Sequence, residues 1–298
     1  MTDIGLFGLG IMGTAMSKHL LAAGIGVVGY DPDAERAEAL TTAGGIAAGS
    51  PRAVIDAADM VITSLATSAA VEQVCRDLEL HGRPGMVVAE TSTMPMDVKT
   101  ACRDLLASAG IVVLDCPLSG TGLQAQTRDV VVYGSGSEQA FESMRPVFDA
   151  FSRSVRYLGP FGHGSVMKYI ANLLVAIHNV STAEAFALGI RAGLDRAQLW
   201  ETIRDGAGNS VIFDKRGRLM IDEAYLPATA KVSMFVKDVS IVREYARTLG
   251  LPTPMLDTTV ALYDRAMGSG LAEADAAALL SLMKSDQIDT PAREGSPA

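Results

Sequence analysis

Through the first half of the chain, short runs of aliphatic and β-branched residues alternate with longer amphipathic segments. Ile4 to Phe7, Val27 to Tyr30, Met60 to Leu65, Met86 to Thr91, Ile111 to Leu114, Val130 to Tyr133 and Val155 to Leu158 read as strands. Between them, Met12 to Ala23, Ala34 to Ala43, Ala69 to Glu79 and Val98 to Ala109 read as helices. This alternation predicts a mostly parallel, doubly wound α/β sheet with right-handed crossovers. After Gly159-Pro160 the strands cease. Gly164 to Gly193 predicts one helix of about 30 residues, roughly 45 Å long at 1.5 Å per residue. The remainder reads as helical: Gly193-Leu194-Asp195 offers a stop and then an N-cap, and Leu251-Pro252-Thr253-Pro254 separates two later helices. Polar Ser285 to Ala298 predicts a mobile tail.

The pattern divides the chain into an α/β domain over residues 1–162, an all-helical domain over 163–285 and a tail over 286–298. A length of 298 residues with 49% hydrophobic content accords with two cores, because single cores stop growing near this size. The formal charge of −9, without a basic run, lacks the footprint of a nucleic-acid binder. Cys75, Cys102 and Cys116 are widely spaced with no Cys-x-x-Cys pair, which argues for reduced cytosolic thiols rather than disulfides or a thiolate zinc site. His19, His81, His163 and His178 have no paired ligand spacing, so no metal is expected. Met1-Thr2-Asp3 shows no basic region before an apolar segment, and no stretch of about 18 uninterrupted apolar residues occurs. A soluble, cytoplasmic chain without a membrane span is the expectation.

Candidate chemistry begins at Gly8-Leu9-Gly10-Ile11-Met12-Gly13, between the first strand and the first helix. In that setting Gly8 permits a tight turn, Gly10 lets backbone approach a pyrophosphate, and Gly13 lets the helix pack on the strand. The helix N-terminus adds N–H groups and a positive dipole. The second strand ends at Asp31, close to the spacing of about 20 residues at which a carboxylate meets the adenosine ribose. Asp31 either does this or caps the turn in Asp31-Pro32-Asp33-Ala34; Asp33 already fits the cap, so Asp31 favours NAD over NADP. Further on, Lys168 and Asn172 are i and i+4 neighbours near the start of the long helix, with Asn179 beyond them. Lys168 is either a solvated lysine at a helix start or a general acid/base exchanging a hydroxyl proton.

Four motifs in order resemble the β-hydroxyacid dehydrogenase family, which includes 3-hydroxyisobutyrate dehydrogenases and tartronate semialdehyde reductases. They are Gly8 to Gly13, Asp115-Cys116-Pro117-Leu118-Ser119-Gly120, Gly162 to Asn172, and Lys237-Asp238 before an amphipathic helix. The resemblance covers nearly the whole chain. It implies a Rossmann domain joined by a long helix to an all-helical domain that dimerises, as a homodimer or within a homotetramer. It further implies a small carboxylate-bearing substrate bound by Ser119, Gly120 and Thr121 with help from Asn172, and Lys168 as general acid/base. Cofactor contacts are implied for Gly8, Leu9, Gly10, Ile11, Met12 and Gly13, for Leu65, Ala66 and Thr93, and for Lys237 beside the nicotinamide. The implied reaction is reversible hydride transfer between NAD and a small β-hydroxy acid or its semialdehyde. Imine reduction on the same architecture and a catalytically silent dinucleotide-binding dimer are the alternatives; retention of Lys168 tilts against the first, and retention of Lys168, Asn172 and Lys237 against the second.

This chain departs from the family pattern in the substrate loop, with Ser119-Gly120-Thr121, Gln124-Ala125 and Arg128-Asp129-Val130, and also at Ala66, Ala171 and Ala230. Thr121 adds a hydroxyl beside the expected carboxylate site. Arg128 either pairs with an additional anionic group of the substrate or faces solvent.

Overall fold

A computed structural model describes residues 3–284, so the expected tail over 286–298 lies outside the described residues. Two compact units divide the chain after Ala171.

In the first unit the elements run β1 (Ile4–Phe7), α1 (Ile11–Ala22), β2 (Val27–Tyr30), α2 (Ala34–Thr42), β3 (Ile46–Ala47), α3 (Pro51–Ala57), β4 (Met60–Thr63), α4 (Ser68–His81), β5 (Val87–Glu90), α5 (Met96–Ser108) and β6 (Val112–Asp115). Their strands form one parallel sheet in the order β3-β2-β1-β4-β5-β6. β1, β5 and most of β4 are buried on both faces, so they read as continuous apolar runs. One helical layer buries Leu20 and Met16 against Ile4 and Leu6; the other buries Val54, Val71, Leu78 and Leu106 against Phe7, Val61 and Val88. The order reverses between β1 and β4, and ligands of such sheets bind beyond the carboxyl ends of the strands at that switch.

The seven strands expected in one sheet divide between two. β7 (Leu118–Ser119), α6 (Gly122–Gln126), β8 (Val131–Gly134), α7 (Glu138–Phe151) and β9 (Ser154–Tyr157) follow. β7-β8-β9 make a second, three-stranded sheet in which β8 pairs antiparallel with β7 and parallel with β9. Ser135, the residue after β8, forms a bridge with Asp115 at the end of β6. β3, β7, α3 and α6 escaped the sequence reading because two-residue strands and one- to two-turn helices carry too little periodicity; Ser50 accepting from Ala53 N, ahead of Pro51, is the local signal that starts α3.

The long helix α8 is His163–Arg191, 29 residues that pass from the first unit into the second. By length and composition it is apolar enough to cross a membrane. The second unit continues with α9 (Arg196–Arg204), α10 (Val211–Asp222), α11 (Val232–Thr248), α12 (Pro254–Gly268), a 3-10 turn at Ala276–Ala278 and α13 (Leu279–Lys284). Asp195 caps α9 by accepting from Gln198 N at 2.9 Å, as its spacing predicts. The core includes Phe186 on Phe213 and Phe235 stacked on Tyr263. At its centre, Arg216 pairs with buried Asp275, which also accepts from Thr229 N, Thr229 Oγ1, Ala230 N and Ala277 N. Buried charge is tolerated here because every exposed lone pair is matched by a donor.

Candidate active site

The glycine loop leaves β1 in a conformation that only glycine adopts readily. Gly8 has φ +89°, and a Cβ there would lie 2.2 Å from the Ser64 carbonyl oxygen. A Cβ on Gly13 would lie 1.9 Å from the Gly8 carbonyl oxygen, so α1 rests directly on the loop backbone. Gly10 differs: an added Cβ would meet only the Arg36 guanidinium, at 3.9 Å, and its outer side is open. No side chain caps α1. The first-turn N–H groups that a helix cannot satisfy internally are thus offered to an anion.

At the end of β2, Asp31 is 9% exposed. Its Oδ2 accepts from Leu9 N at 2.8 Å and its Oδ1 from Asp33 N at 3.0 Å, while Arg36 Nη1 lies 3.4 Å from Oδ2. Asp33 caps α2 through Glu35 N. The two aspartates therefore divide the work: Asp33 caps α2, and Asp31 ties the end of β2 to the glycine loop. Open backbone at Gly10, an uncapped α1 and a fixed carboxylate at the switch point together fit a dinucleotide.

Two further loops reach the same sheet edge. Leu65 N donates to Ser92 Oγ at 2.8 Å, joining the loop after β4 to the loop after β5. Leu65 and Thr93 are half-buried and Ala66 is exposed. The segment after β7 adjoins the start of α1: a Cβ on Gly122 would lie 2.4 Å from Ile11 Cγ2. Ser119 and Gly120 are half-buried, and Gly120 has φ +148°. Thr121 is occupied within the loop. Its hydroxyl accepts from Gln124 N and its amide donates to Gln124 Oε1, a capping box that starts α6. Gln124 in turn reaches Asp129, which pairs with Arg153. Arg128, at φ +60°, is exposed and donates to the Asp149 carbonyl on α7 at 2.6 Å. The unusual segment is knit to itself and to neighbouring protein.

Lys168 lies in the first turns of α8, half-buried, between exposed Met167 and buried Tyr169. Ser165, three residues earlier, donates from both N and Oγ to the Asp115 carboxylate, each at 2.7 Å. Gly164 N donates to Ser135 Oγ, and Tyr169 OH donates to the Met94 carbonyl at 2.5 Å. The sequence reading has Asp115 only as a motif member and assigns Ser135 no chemistry. Their joint role in receiving the start of α8 was missed, as was buried Lys99, whose Nζ lies 2.7 Å from both Asp115 and Glu90. A lysine on the apolar face that Lys99, Cys102 and Leu106 share was the available signal.

In the second unit, Asn172 Nδ2 donates to Asp238 Oδ2 at 3.0 Å, and Lys237 Nζ lies 2.9 Å from Asp238 Oδ1. Asp238 therefore brings the two sequence-predicted residues of this unit together. Lys237 lies inside α11, not before the helix as the sequence reading had it. Asn179 belongs to the core, donating to Tyr263 OH and the Ala276 carbonyl. His163 contacts the Leu158 carbonyl through Nδ1. Among the described residues no three His, Cys, Asp or Glu side chains are grouped to hold a metal.

Comparison with known proteins agrees with this geometry. Residues 3–159 match the NAD binding domain of 6-phosphogluconate dehydrogenase, and residues 162–283 match the domain described as NAD-binding of NADP-dependent 3-hydroxyisobutyrate dehydrogenase. L-threonate dehydrogenase of Escherichia coli O6:H1 is 31% identical over 284 residues, 94% of each chain. NAD-dependent L-serine dehydrogenase of Pseudomonas aeruginosa is 33% identical over 287 residues, covering 92% of this chain and 95% of its own. The crystal structure of 3-hydroxyisobutyrate dehydrogenase from Salmonella typhimurium superimposes with a TM-score of 0.87 at 30% identity, covering 95% of this chain and all of that one. A Rossmann sheet carrying the glycine loop, a helical second unit and these two domain matches over nearly the whole chain make it a member of the β-hydroxyacid dehydrogenase family of NAD-binding oxidoreductases.

Proposed function

We propose that this dehydrogenase oxidises the hydroxyl-bearing carbon of a small β-hydroxy acid, reversibly, with Lys168 exchanging the hydroxyl proton. The observation that carries the reading is the setting of Lys168: a half-buried amine in a helix turn held on both sides, by Ser165 and by Tyr169. A general acid/base needs such fixed reach to one atom. NAD, when bound, supplies the hydride acceptor. Ser119 and the backbone of Gly120 are assigned the substrate carboxylate, Thr121 holds their loop, and Asn172 and Lys237 contact substrate and nicotinamide with Asp238 ordering both side chains. Gly8 to Gly13, Leu65, Ala66 and Thr93 are assigned to the cofactor, and Asp31 selects NAD over NADP. Residues 1–162 form the cofactor domain in this reading and 163–285 the substrate and dimerisation domain. Assembly as a homodimer or homotetramer belongs to it too, supported by exposed Leu174 and Leu188 on α8. Three buried, unpaired cysteines suit a reducing, cytoplasmic compartment.

The relatives' names make L-threonate, L-serine and 3-hydroxyisobutyrate the first substrates to try, since each carries a carboxylate and a hydroxyl on carbon 3. The test is NAD reduction with these acids by the native protein and by Lys168→Ala, with NADH binding followed by fluorescence. Turnover is expected to fall by about 10²- to 10⁴-fold while NADH affinity holds. Undiminished turnover in the variant overturns the assignment.

A further inference from the structure

Five buried side chains form an unbroken polar line through the first unit. Leu65 N donates to Ser92 Oγ, and Ser92 N donates to Glu90 Oε1 at 2.8 Å. Glu90 Oε2 and Asp115 Oδ1 each lie 2.7 Å from Lys99 Nζ. Asp115 then receives Ser165 through both its amide and its hydroxyl. Glu90, Ser92, Lys99, Asp115 and Ser165 are all no more than 6% exposed. One cation faces two carboxylates, and the remaining negative charge sits under the first turn of α8, where a helix N-terminus carries about half a positive charge. The helix start also has no freedom to slide, because a Cβ on Gly164 would lie 2.3 Å from the Tyr133 carbonyl oxygen and 2.6 Å from that of Asp115.

A buried ion network is weak evidence for stability, since apolar packing of equal volume serves as well or better. It is an effective way to fix geometry. This line ends at the cofactor-facing loops on one side and three residues before Lys168 on the other. We propose that Lys99 and Asp115 are positioning residues for the dehydrogenase reaction: they set the register of the first turn of α8, and so of Lys168, relative to the loops at Leu65 and Thr93. The proposal rests on the reading of Lys168 given above. Burial alone would lower the Lys99 amine's proton affinity, but Asp115 and Glu90 raise it further than burial lowers it, so the cation persists across the working range.

The test compares Asp115→Asn, which keeps the shape and removes the charge, with Ser165→Ala, which removes one hydroxyl and is the gentler change. Each is measured alone and combined with Lys168→Ala. Initial rates use L-threonate, L-serine and 3-hydroxyisobutyrate; hydrogen exchange of peptides spanning residues 162–172 gives a readout independent of turnover. The expected result is a kcat lower by at least ten-fold for Asp115→Asn and less for Ser165→Ala, NAD KM within about two-fold, faster exchange over 162–172, and no further loss when either is added to Lys168→Ala. A folded Asp115→Asn or Ser165→Ala with native kcat, or with losses that multiply those of Lys168→Ala, overturns the positioning role. If Asp115→Asn does not fold, Ser165→Ala decides alone. Full turnover in Lys168→Ala by itself overturns the reading of Lys168 instead, and the two failures are separable.

Discussion

Replacing Asp31 by Asn isolates the cofactor preference with little change of shape. In the native loop, Asp31 Oδ2 accepts from Leu9 N and Oδ1 from Asp33 N. Asparagine retains one carbonyl oxygen, so it keeps one of these bonds and turns an amide toward the other. Hydrogen bonds to a charged acceptor contribute about 1.5–3 kcal/mol each, so losing the charge under the ribose hydroxyls lowers NADH affinity by roughly 10- to 150-fold. For NADPH a second effect opposes this loss. A carboxylate and a phosphate charge about 4 Å apart repel by roughly 1 kcal/mol in water and 4 kcal/mol near a protein surface; removing that repulsion offsets the lost hydrogen bonds. NADPH affinity is therefore expected to stay within a few-fold of native, and the NADH/NADPH preference to fall at least ten-fold. Fluorescence titration of both nucleotides at fixed ionic strength reads this directly. Equal weakening of both refutes the ribose assignment and leaves Asp31 as a loop brace through Leu9. The melting temperature of the free variant distinguishes a loosened loop from a lost ligand contact.

Gly13→Ala places a Cβ 1.9 Å from the Gly8 carbonyl oxygen, and backbone on both sides cannot yield; NADH binding and the thermal midpoint should both drop, and native values for either contradict the close packing of α1. Asp275→Ala leaves Arg216 buried without its partner and should cost about 3–5 kcal/mol in urea unfolding, against which a loss below about 1 kcal/mol would show the pair to be dispensable. Burial raises the Tyr263 phenol above its usual range, so the fold holds it neutral while the unfolded chain ionises it near pH ~10. That contribution is complete below about pH 10 and is lost as pH rises toward the folded value, so Tyr263→Phe should flatten the alkaline decline of the urea midpoint; an unchanged slope would discount it.

The parts legible in the sequence were those whose physics is local. Gly8 and Gly13 announce themselves because the turn and the helix contact each forbid a side chain within a few residues, and Gly10 completes the spacing. Asp33 and Asp195 announce the caps of α2 and α9 for the same reason. The separate sheet of β7, β8 and β9 was not legible, because Val131 to Gly134 is as apolar as the central strands and its change of partner is decided by Asp115 meeting Ser135, 20 residues away. The departures from the family pattern between Thr121 and Arg128 read as changes near a substrate because residue type alone cannot tell a ligand contact from a cap. Thr121 on Gln124, and Arg128 on the Asp149 carbonyl, are internal bonds that position the loop.

The same distinction bears on where specificity resides in this chain. With Thr121, Gln124, Asp129 and Arg153 joined to one another, the polar groups that would otherwise distinguish substrates are committed to the fold. A substituent placed beside such groups finds few unsatisfied partners, and discrimination by hydrogen bonding needs partners that are left unpaired when the wrong substrate binds. Under the proposed function, the substrate-side contrast therefore falls to Ser119, to the backbone of Gly120 and to the bulk of the loop. In that reading those groups recognise a carboxylate and the space next to it, which is weaker discrimination among acids of similar length than a dedicated polar pocket supplies. Comparable kcat/KM values for two or more three- to four-carbon hydroxy acids follow from this arrangement. A preference for one of them exceeding about 10⁴-fold would require a polar contact that the loop as folded does not offer.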